Sequence, residues 1–117
     1  MNLVSSIRIA YEPLRSLGFA GIGIAYAGVG TALANPSRIL SIYNTTDVNL
    51  VLSLNGVDDH AFISANGGKV TDFGANAAKQ AGFAELPAGS RWYVRQEGAD
   101  AATVGNIYIE SVYLSQR

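Results

Sequence analysis

The sequence contains no cysteine, which excludes disulfide bonds and thiolate metal sites in this chain of 117 residues. It has a single histidine, so a metal site built on two histidine ligands is excluded as well. Charged residues make up only 15% of the chain, and the formal net charge is -1. Because nucleic acids and anionic membranes are bound through clustered positive charge, the sequence predicts neither as a partner.

Charges are missing altogether between Arg15 and Arg38, where 22 consecutive residues are neutral. Such a stretch is typical of a signal peptide or a short membrane span. Five glycines in this stretch disfavour a helix, however, and Ile22, Ile24 and Tyr26 alternate with small residues, which is the spacing of an extended strand. We therefore predict extended structure here, and no membrane span.

The chain is rich in hydrophobic residues, at 49%, and these alternate with polar residues between clusters of turn formers. The clearest alternation runs through Val48, Leu50, Leu52 and Leu54. Residues 38–44 are apolar on both faces, which predicts a strand buried between two layers. Further strands are predicted at 7–11, 20–27, 60–64, 69–73, 91–96 and 106–114, and a loop at 74–85. About eight short strands predict an all-β fold, either a small β-sandwich or a jelly roll.

One structural domain is predicted, but its first part differs from the rest in composition. Residues 1–35 are glycine-rich and weakly alternating, and Asn35 and Pro36 separate them from the compact strand array at 36–117. Small residues allow close approach of backbones but contribute little side-chain packing. Two interpretations stay open: a pair of edge strands, or an extended N-terminal arm that packs on a neighbouring subunit.

A search for catalytic chemistry gives no candidate residues. The run Asp58, Asp59 and His60 superficially resembles a ligand cluster, but adjacent side chains of a strand point to opposite faces. No serine lies in a Gly-x-Ser-x-Gly motif, and the glutamates have no evident partner for paired-carboxylate catalysis. The sequence therefore predicts no catalytic, cofactor-binding or metal-binding residue and no enzyme activity.

One aromatic and basic cluster stands out, formed by Trp92 and Tyr93 between Arg91 and Arg95. It is typical of stacking on sugars or bases, although one aromatic ring of such a pair commonly faces the core. On the last predicted strand, Tyr108 and Tyr113 are five residues apart and lie on opposite faces.

Seven segments, taken in order and spacing, resemble small structural proteins of tailed phages, over about residues 20–114. These segments are Tyr26–Leu33, Asn35–Leu40, Asn44–Asp47, Ser53–His60, Leu86–Gly89, Trp92–Gln96 and Ile107–Glu110. The resemblance implies a virion protein, either a head decoration (cement) protein or a component near the head–tail junction. Cement proteins of several short-tailed phages are jelly rolls with extended arms that lie over contacts between major capsid subunits.

The sequence thus favours a capsid decoration protein in the virion, without a cofactor, that binds the major capsid protein or other virion proteins and associates with copies of itself. The alternatives are a head–tail connector or tail-ring component, and a carbohydrate-binding β-sandwich module that uses Trp92, Tyr93 and Arg95. The residues predicted to form the assembly interface are Ile7, Ile9, Tyr11, Ile22, Ile24, Tyr26, Trp92, Tyr93, Tyr108 and Tyr113.

Overall fold

A computed structural model describes residues 7–73 and 85–116 of the chain, and the described part is built from short β-strands. A single turn of 3-10 helix at Phe19–Gly21 follows the second strand. The strands are β1 (Ile7–Tyr11), β2 (Arg15–Gly18), β3 (Ala27–Gly28), β4 (Ile39–Asn44), β5 (Leu50–Ser53), β6 (Ala61–Ile63), β7 (Gly68–Asp72), β8 (Tyr93–Gln96) and β9 (Asn106–Gln116).

The strands form two antiparallel sheets. In the first sheet, β1 and β2 both pair with the same side of β9, and β4 and then β7 follow on its other side. The second sheet has the order β3-β8-β5-β6. If β1 and β2 are counted as one interrupted strand, the described part has eight strands. Renumbered from 1 to 8 along the chain, these have the order 1-8-3-6 in the first sheet and 2-7-4-5 in the second, which is the jelly-roll arrangement. The predicted all-β sandwich is therefore confirmed.

The core lies between the facing sides of the two sheets. Leu40 and Ile42 of β4 are buried in the first sheet, and Leu50 and Leu52 of β5 are buried in the second. Burying one such side chain contributes about 1.5–3 kcal/mol to folding. The predicted burial of 38–44 holds for the inward-facing residues of β4, whereas Tyr43 faces out and is exposed.

The glycine-rich segment before Asn35 is part of the sandwich, so the predicted boundary between 1–35 and 36–117 is wrong for most of that segment. Ile22 is only 5% exposed and belongs to the core cluster with Val29. The predicted strand at 20–27 is also wrong: only Ala27 falls within a strand, β3, and the preceding residues form the 3-10 turn and irregular chain. Of the two interpretations of the segment, edge strands describe β2 and β3, because each lies at the border of its sheet.

The loop predicted at 74–85 lies outside the described residues except at Glu85. The described residues resume at Glu85, and Leu86 forms a bridge with Ser37. Among the described residues, no helix has the length and apolar character that crossing a membrane requires.

Candidate assembly surface

The last strand, β9, extends beyond the sandwich. Its pairing with β4 begins at Val112, which lies opposite Ile39, so Tyr113 and the residues after it have β1 as their one described partner. We call the pair formed by Ile7–Tyr11 and Val112–Gln116 the ribbon. Within the described part of the chain, no third strand lies along either side of the ribbon beyond Val112.

The direction of the backbone groups in β1 follows from one hydrogen bond at its end. The Glu12 amide donates to the Ser111 carbonyl at 3.0 Å. In an antiparallel pair, the backbone groups of successive residues point alternately toward the partner strand and away from it. Ala10 and Arg8, two and four residues before Glu12, therefore also hydrogen-bond to β9 through their backbone. The N–H and C=O groups of Ile7, Ile9 and Tyr11 therefore point to the outer edge of β1, where no described strand is present.

A β-bulge separates β1 from β2. Tyr11 lies opposite Val112 and Arg15 opposite Ile109, so three residues of one strand face two of β9. The extra residue moves the following side chains to the other face of the sheet. This is why Tyr11 points outward while Arg15, four residues later, is buried.

One face of the ribbon is apolar, and it is exposed on β1, whereas on β9 Val112 is buried and Leu114 is half-buried. Ile9 and Tyr11 are 65% and 66% exposed, and they lie on the same face as Leu114 and Val112, their partners across the pair. This face continues the outer face of the first sheet, because Val112 also lies opposite Ile39. Arg8 is on the other face of the ribbon. The ribbon thus combines an open edge with large exposed apolar side chains.

A buried ion pair fixes the bulge at the base of the ribbon. Glu12 and Arg15 are 6% and 8% exposed, and Arg15 donates to the Glu12 carboxylate at 3.0 Å. The same carboxylate accepts hydrogen bonds from the amide of Ala34 and from both the amide and the side chain of Asn35. The guanidinium also donates to the carbonyls of Pro13, Thr31 and Ala32. The bulge is therefore tied to the loop that follows β3.

The hydrogen bonds at Glu12 also set its protonation state. Burial alone would raise the pKa of the carboxyl, but the bonds donated by Asn35, Ala34 and Arg15 together outweigh burial and lower the pKa below its usual 4.5. Glu12 is therefore ionised at neutral pH, opposite a guanidinium that is always charged.

The predicted aromatic and basic cluster is divided between two faces of β8. Tyr93 and Arg95 lie on the outer face of the second sheet, where the Arg91 guanidinium is 5.4 Å from the centre of the Tyr93 ring. Arg95 lies 5.5 Å from the centre of the Tyr26 ring and donates to Asp59 at 2.8 Å. The Tyr26 hydroxyl donates to the same carboxylate, so Tyr26, Asp59 and Arg95 form a polar triad.

Trp92 is on the inner face and only 8% exposed, which is a correction to its predicted place in an interface. Its Nε1 has no hydrogen-bond partner among residues 7–73 and 85–116, and its ring lines a cavity of about 200 Å³ with Ile42, Lys69 and Phe73 among its other walls. A buried indole cannot stack on a sugar. The carbohydrate-binding interpretation therefore loses its main residue.

The remaining predicted interface residues are distributed over the whole surface. Ile22 is in the core, a second correction, whereas Ile24 two residues later is 78% exposed. Tyr108 is half-buried beside β2 and accepts a hydrogen bond from the Asn106 side chain at 2.8 Å. Tyr113 is half-buried in the ribbon, on the face opposite to Tyr108 as predicted. Of the predicted set, the structure brings together Ile7, Ile9, Tyr11 and Tyr113 in the ribbon.

Sequence reasoning missed Glu12 and Arg15, because a glutamate and an arginine three residues apart commonly lie on a solvated surface. No group of three or more carboxylates or imidazoles within 7–73 and 85–116 is arranged to hold a metal ion.

No protein-family model, curated protein or solved structure is significantly similar to this chain.

Proposed function

We propose that this chain is a virion structural protein, a capsid decoration protein that stabilises contacts between major capsid subunits. The observation that carries the proposal is the ribbon: two paired strands that leave the sandwich with an open edge and an exposed apolar face. The phage-like order of sequence segments supports a place in a phage particle, and the ribbon supports attachment to neighbouring subunits.

An edge strand with the composition of β1 is unusual on a surface that contacts only solvent. Natural proteins protect exposed edge strands with charges, prolines or covering loops, because an open edge pairs with other chains. β1 carries a single charge, on Arg8, while Ile9 and Tyr11 are left largely exposed. An edge of this kind is suited to strand addition, in which backbone hydrogen bonds supply affinity and the side chains supply specificity.

Decoration requires only weak binding by each copy, because many copies on one particle act together. A strand of five residues gives a small contact, which is sufficient when the sandwich holds the ribbon in place. The buried ion pair at the bulge contributes this rigidity, since it joins the base of the ribbon to the loop after β3.

The test is the copy number of the chain in purified particles of the phage or prophage that encodes it, measured by quantitative mass spectrometry against the major capsid protein. Hundreds of copies support decoration. About 6 or 12 copies would instead identify the ring component of a connector or tail, which shares the symmetry axis of the portal. Absence of the chain from particles would overturn the proposal.

A matched pair of variants tests whether the ribbon makes the contact. Ile9→Pro removes an amide that points to the open edge and leaves the bonds from Arg8 and Ala10 to β9 in place. Ile9→Ala removes the same side chain but retains the amide. We expect Ile9→Pro to lower sedimentation with undecorated shells well beyond Ile9→Ala. Equal binding by both variants would place the contact outside the edge of β1.

A further inference from the structure

We infer that the partner of the open edge of β1 is the β1 strand of a second copy, paired antiparallel about a two-fold axis at Ile9. This inference deepens the proposed function and rests on the use of the ribbon as an assembly edge. It makes the unit of attachment a dimer whose two ribbons form one four-stranded sheet, in the order β9-β1-β1-β9. The two β1 edges then bind each other, and the joined apolar face that carries Ile9 and Tyr11 is left to contact capsid subunits.

The register follows from which backbone groups face the edge. With the axis at Ile9, Ile7 of one copy lies opposite Tyr11 of the other, so all residues whose amides and carbonyls point outward pair with each other. Three N–H donors from each copy then form about six backbone hydrogen bonds. Moving the axis to Ala10 places Ile7 opposite Pro13, which has no N–H to donate.

Charge selects the same register. With the axis at Ile9, Arg8 lies opposite Ala10 of the other copy, and Ile9 lies opposite Ile9 on the apolar face. Moving the axis to Arg8 instead sets two arginines directly opposite each other, which is destabilising. The strand is therefore complementary to itself in one register and mismatched in the registers on either side.

The size of the ribbon gives a reason for this pairing. A two-stranded ribbon is marginally stable in water, whereas four strands with a shared apolar face hold together. Symmetric pairing brings Ile9 and Tyr11 of both copies onto one continuous face. Two-fold contacts of this kind use the same surface on both partners and close after two copies, so the edge is consumed without growth into a fibre.

The other open edge, on β9, is less suitable. Beyond Val112 the groups that point away from β1 belong to Leu114 and Gln116, so this edge offers fewer donors than β1. It also lies beside the start of β4, where the backbone amide of Arg38 donates to the Val112 carbonyl at 2.7 Å. We therefore assign the pairing to β1.

Cysteine cross-linking tests the inference directly, because the natural chain contains no cysteine. Residues opposite each other in a hydrogen-bonded antiparallel pair have Cα atoms about 5.5 Å apart, within the range that a disulfide spans. Under mild oxidation, Ile9→Cys is expected to form a disulfide dimer at least about ten times faster than Ile24→Cys at the same protein concentration. Ile24 is a matched control because it is equally apolar, 78% exposed and outside the ribbon.

A second pair of variants tests the register. A mixture of Arg8→Cys and Ala10→Cys is expected to form the mixed dimer, because these positions lie opposite each other across the axis. Arg8→Cys alone is expected to cross-link slowly, since its two copies are diagonal and about 8 Å apart. Rapid cross-linking of Arg8→Cys alone would overturn the register, and an Ile9→Cys rate equal to that of Ile24→Cys would overturn the inference.

The two proposals fail in different ways. If Ile9→Cys does not cross-link faster than its control but the chain is abundant in particles, the dimer is wrong and the decoration role stands. If the cross-link forms in solution but particles lack the chain, the dimer stands and the decoration role is wrong. Light scattering of the unmodified chain and of Ile9→Pro completes the test, with a dimer expected for the first and a monomer for the second.

Discussion

The two parts of β9 show how one strand serves two purposes. From Asn106 to Val112 it has a strand on each side and the second sheet beneath it, and Ile107 and Ile109 are fully buried. From Tyr113 onward it has β1 as its described partner, and Tyr113 and Leu114 are half-buried. The backbone is extended throughout. The difference is whether a second layer covers the apolar face.

This comparison teaches that alternation identifies a strand but not what covers it. Ile9 and Tyr11 alternate with Arg8 and Ala10 in the same way as the inward-facing residues of β9 alternate with their neighbours. In the sandwich, such residues gain about 25 cal/mol for each Å² of apolar surface that the facing sheet removes from water. In the ribbon, that free energy is still available to a partner.

The largest expected contrast is between matched truncations in the two regions. Leu52→Ala empties a fully buried site between the sheets and is expected to lower the free energy of unfolding by about 2–5 kcal/mol. Ile9→Ala removes a side chain that is already largely exposed, so a change within about 0.5 kcal/mol is expected. Urea denaturation of dilute protein, followed by Trp92 fluorescence, measures both. An equal loss for the two variants would show that the ribbon is part of the folding core.

The next effect concerns the ion pair that joins the two regions. Glu12→Gln keeps the size of the side chain but leaves the buried Arg15 guanidinium without its carboxylate. Hydrogen bonds to charged groups contribute about 1.5–3 kcal/mol, so a loss of that size in the free energy of unfolding is expected. Glu110→Gln on the half-buried face of β9 is the control. A loss no larger than that of the control would remove the ion pair from the account of how the ribbon is held.

The pH dependence of that loss sharpens the comparison further. The pKa of Glu12 is lower in the folded chain than its usual 4.5, so as pH falls the unfolded chain binds the proton first. The stabilisation is therefore fully present above pH 4.5 and is lost as pH falls through the folded pKa. The difference in unfolding free energy between the natural chain and Glu12→Gln is expected to shrink below pH 4.5. A difference that stays constant with pH would contradict the lowered pKa.

Much of the fold was predictable from the sequence because strand signals are local. Val48–Leu54, Asn106–Leu114 and Arg38–Asn44 were each predicted within a few residues of β5, β9 and β4. The bulge was not predictable, because the extra residue at Glu12 to Leu14 is defined by its pairing with β9, on the far side of the sequence. The extra residue moves the side chains that follow it to the opposite face of the sheet and so buries Arg15. Uninterrupted alternation would place Arg15 on the same exposed face as Tyr11.

The candidate site was predictable in part for the same reason. The ribbon residues Ile7, Ile9 and Tyr11 were identified because they alternate with other residues within the segment 1–35, for which an arm that packs on a neighbouring subunit was one interpretation. Ile22 was misassigned because its glycine neighbours suggested an arm, whereas small residues also let a connecting segment pack closely over the core. Whether Ile22 or Ile24 faces inward depends on where the second sheet lies, which is tertiary information.

The smallest expected effect lies on the outer face of the second sheet, which does not include the strands of the ribbon. Asp59→Asn weakens an exposed triad, so its effect on stability is expected to be smaller than that of Glu12→Gln or Leu52→Ala. It still changes a titration: burial and then the hydrogen bond to Asp59 raise the pKa of Tyr26 above its usual 10.0. With a neutral amide in place of the carboxylate, the pKa of Tyr26 is expected to fall toward that value, which phenolate absorbance measures against Tyr26→Phe. An unchanged titration would mean that Tyr26 and Asp59 do not meet in solution. If the pKa of Tyr26 falls in Asp59→Asn while stability and dimer cross-linking stay the same, the outer face of the second sheet takes no part in the pairing of the ribbons.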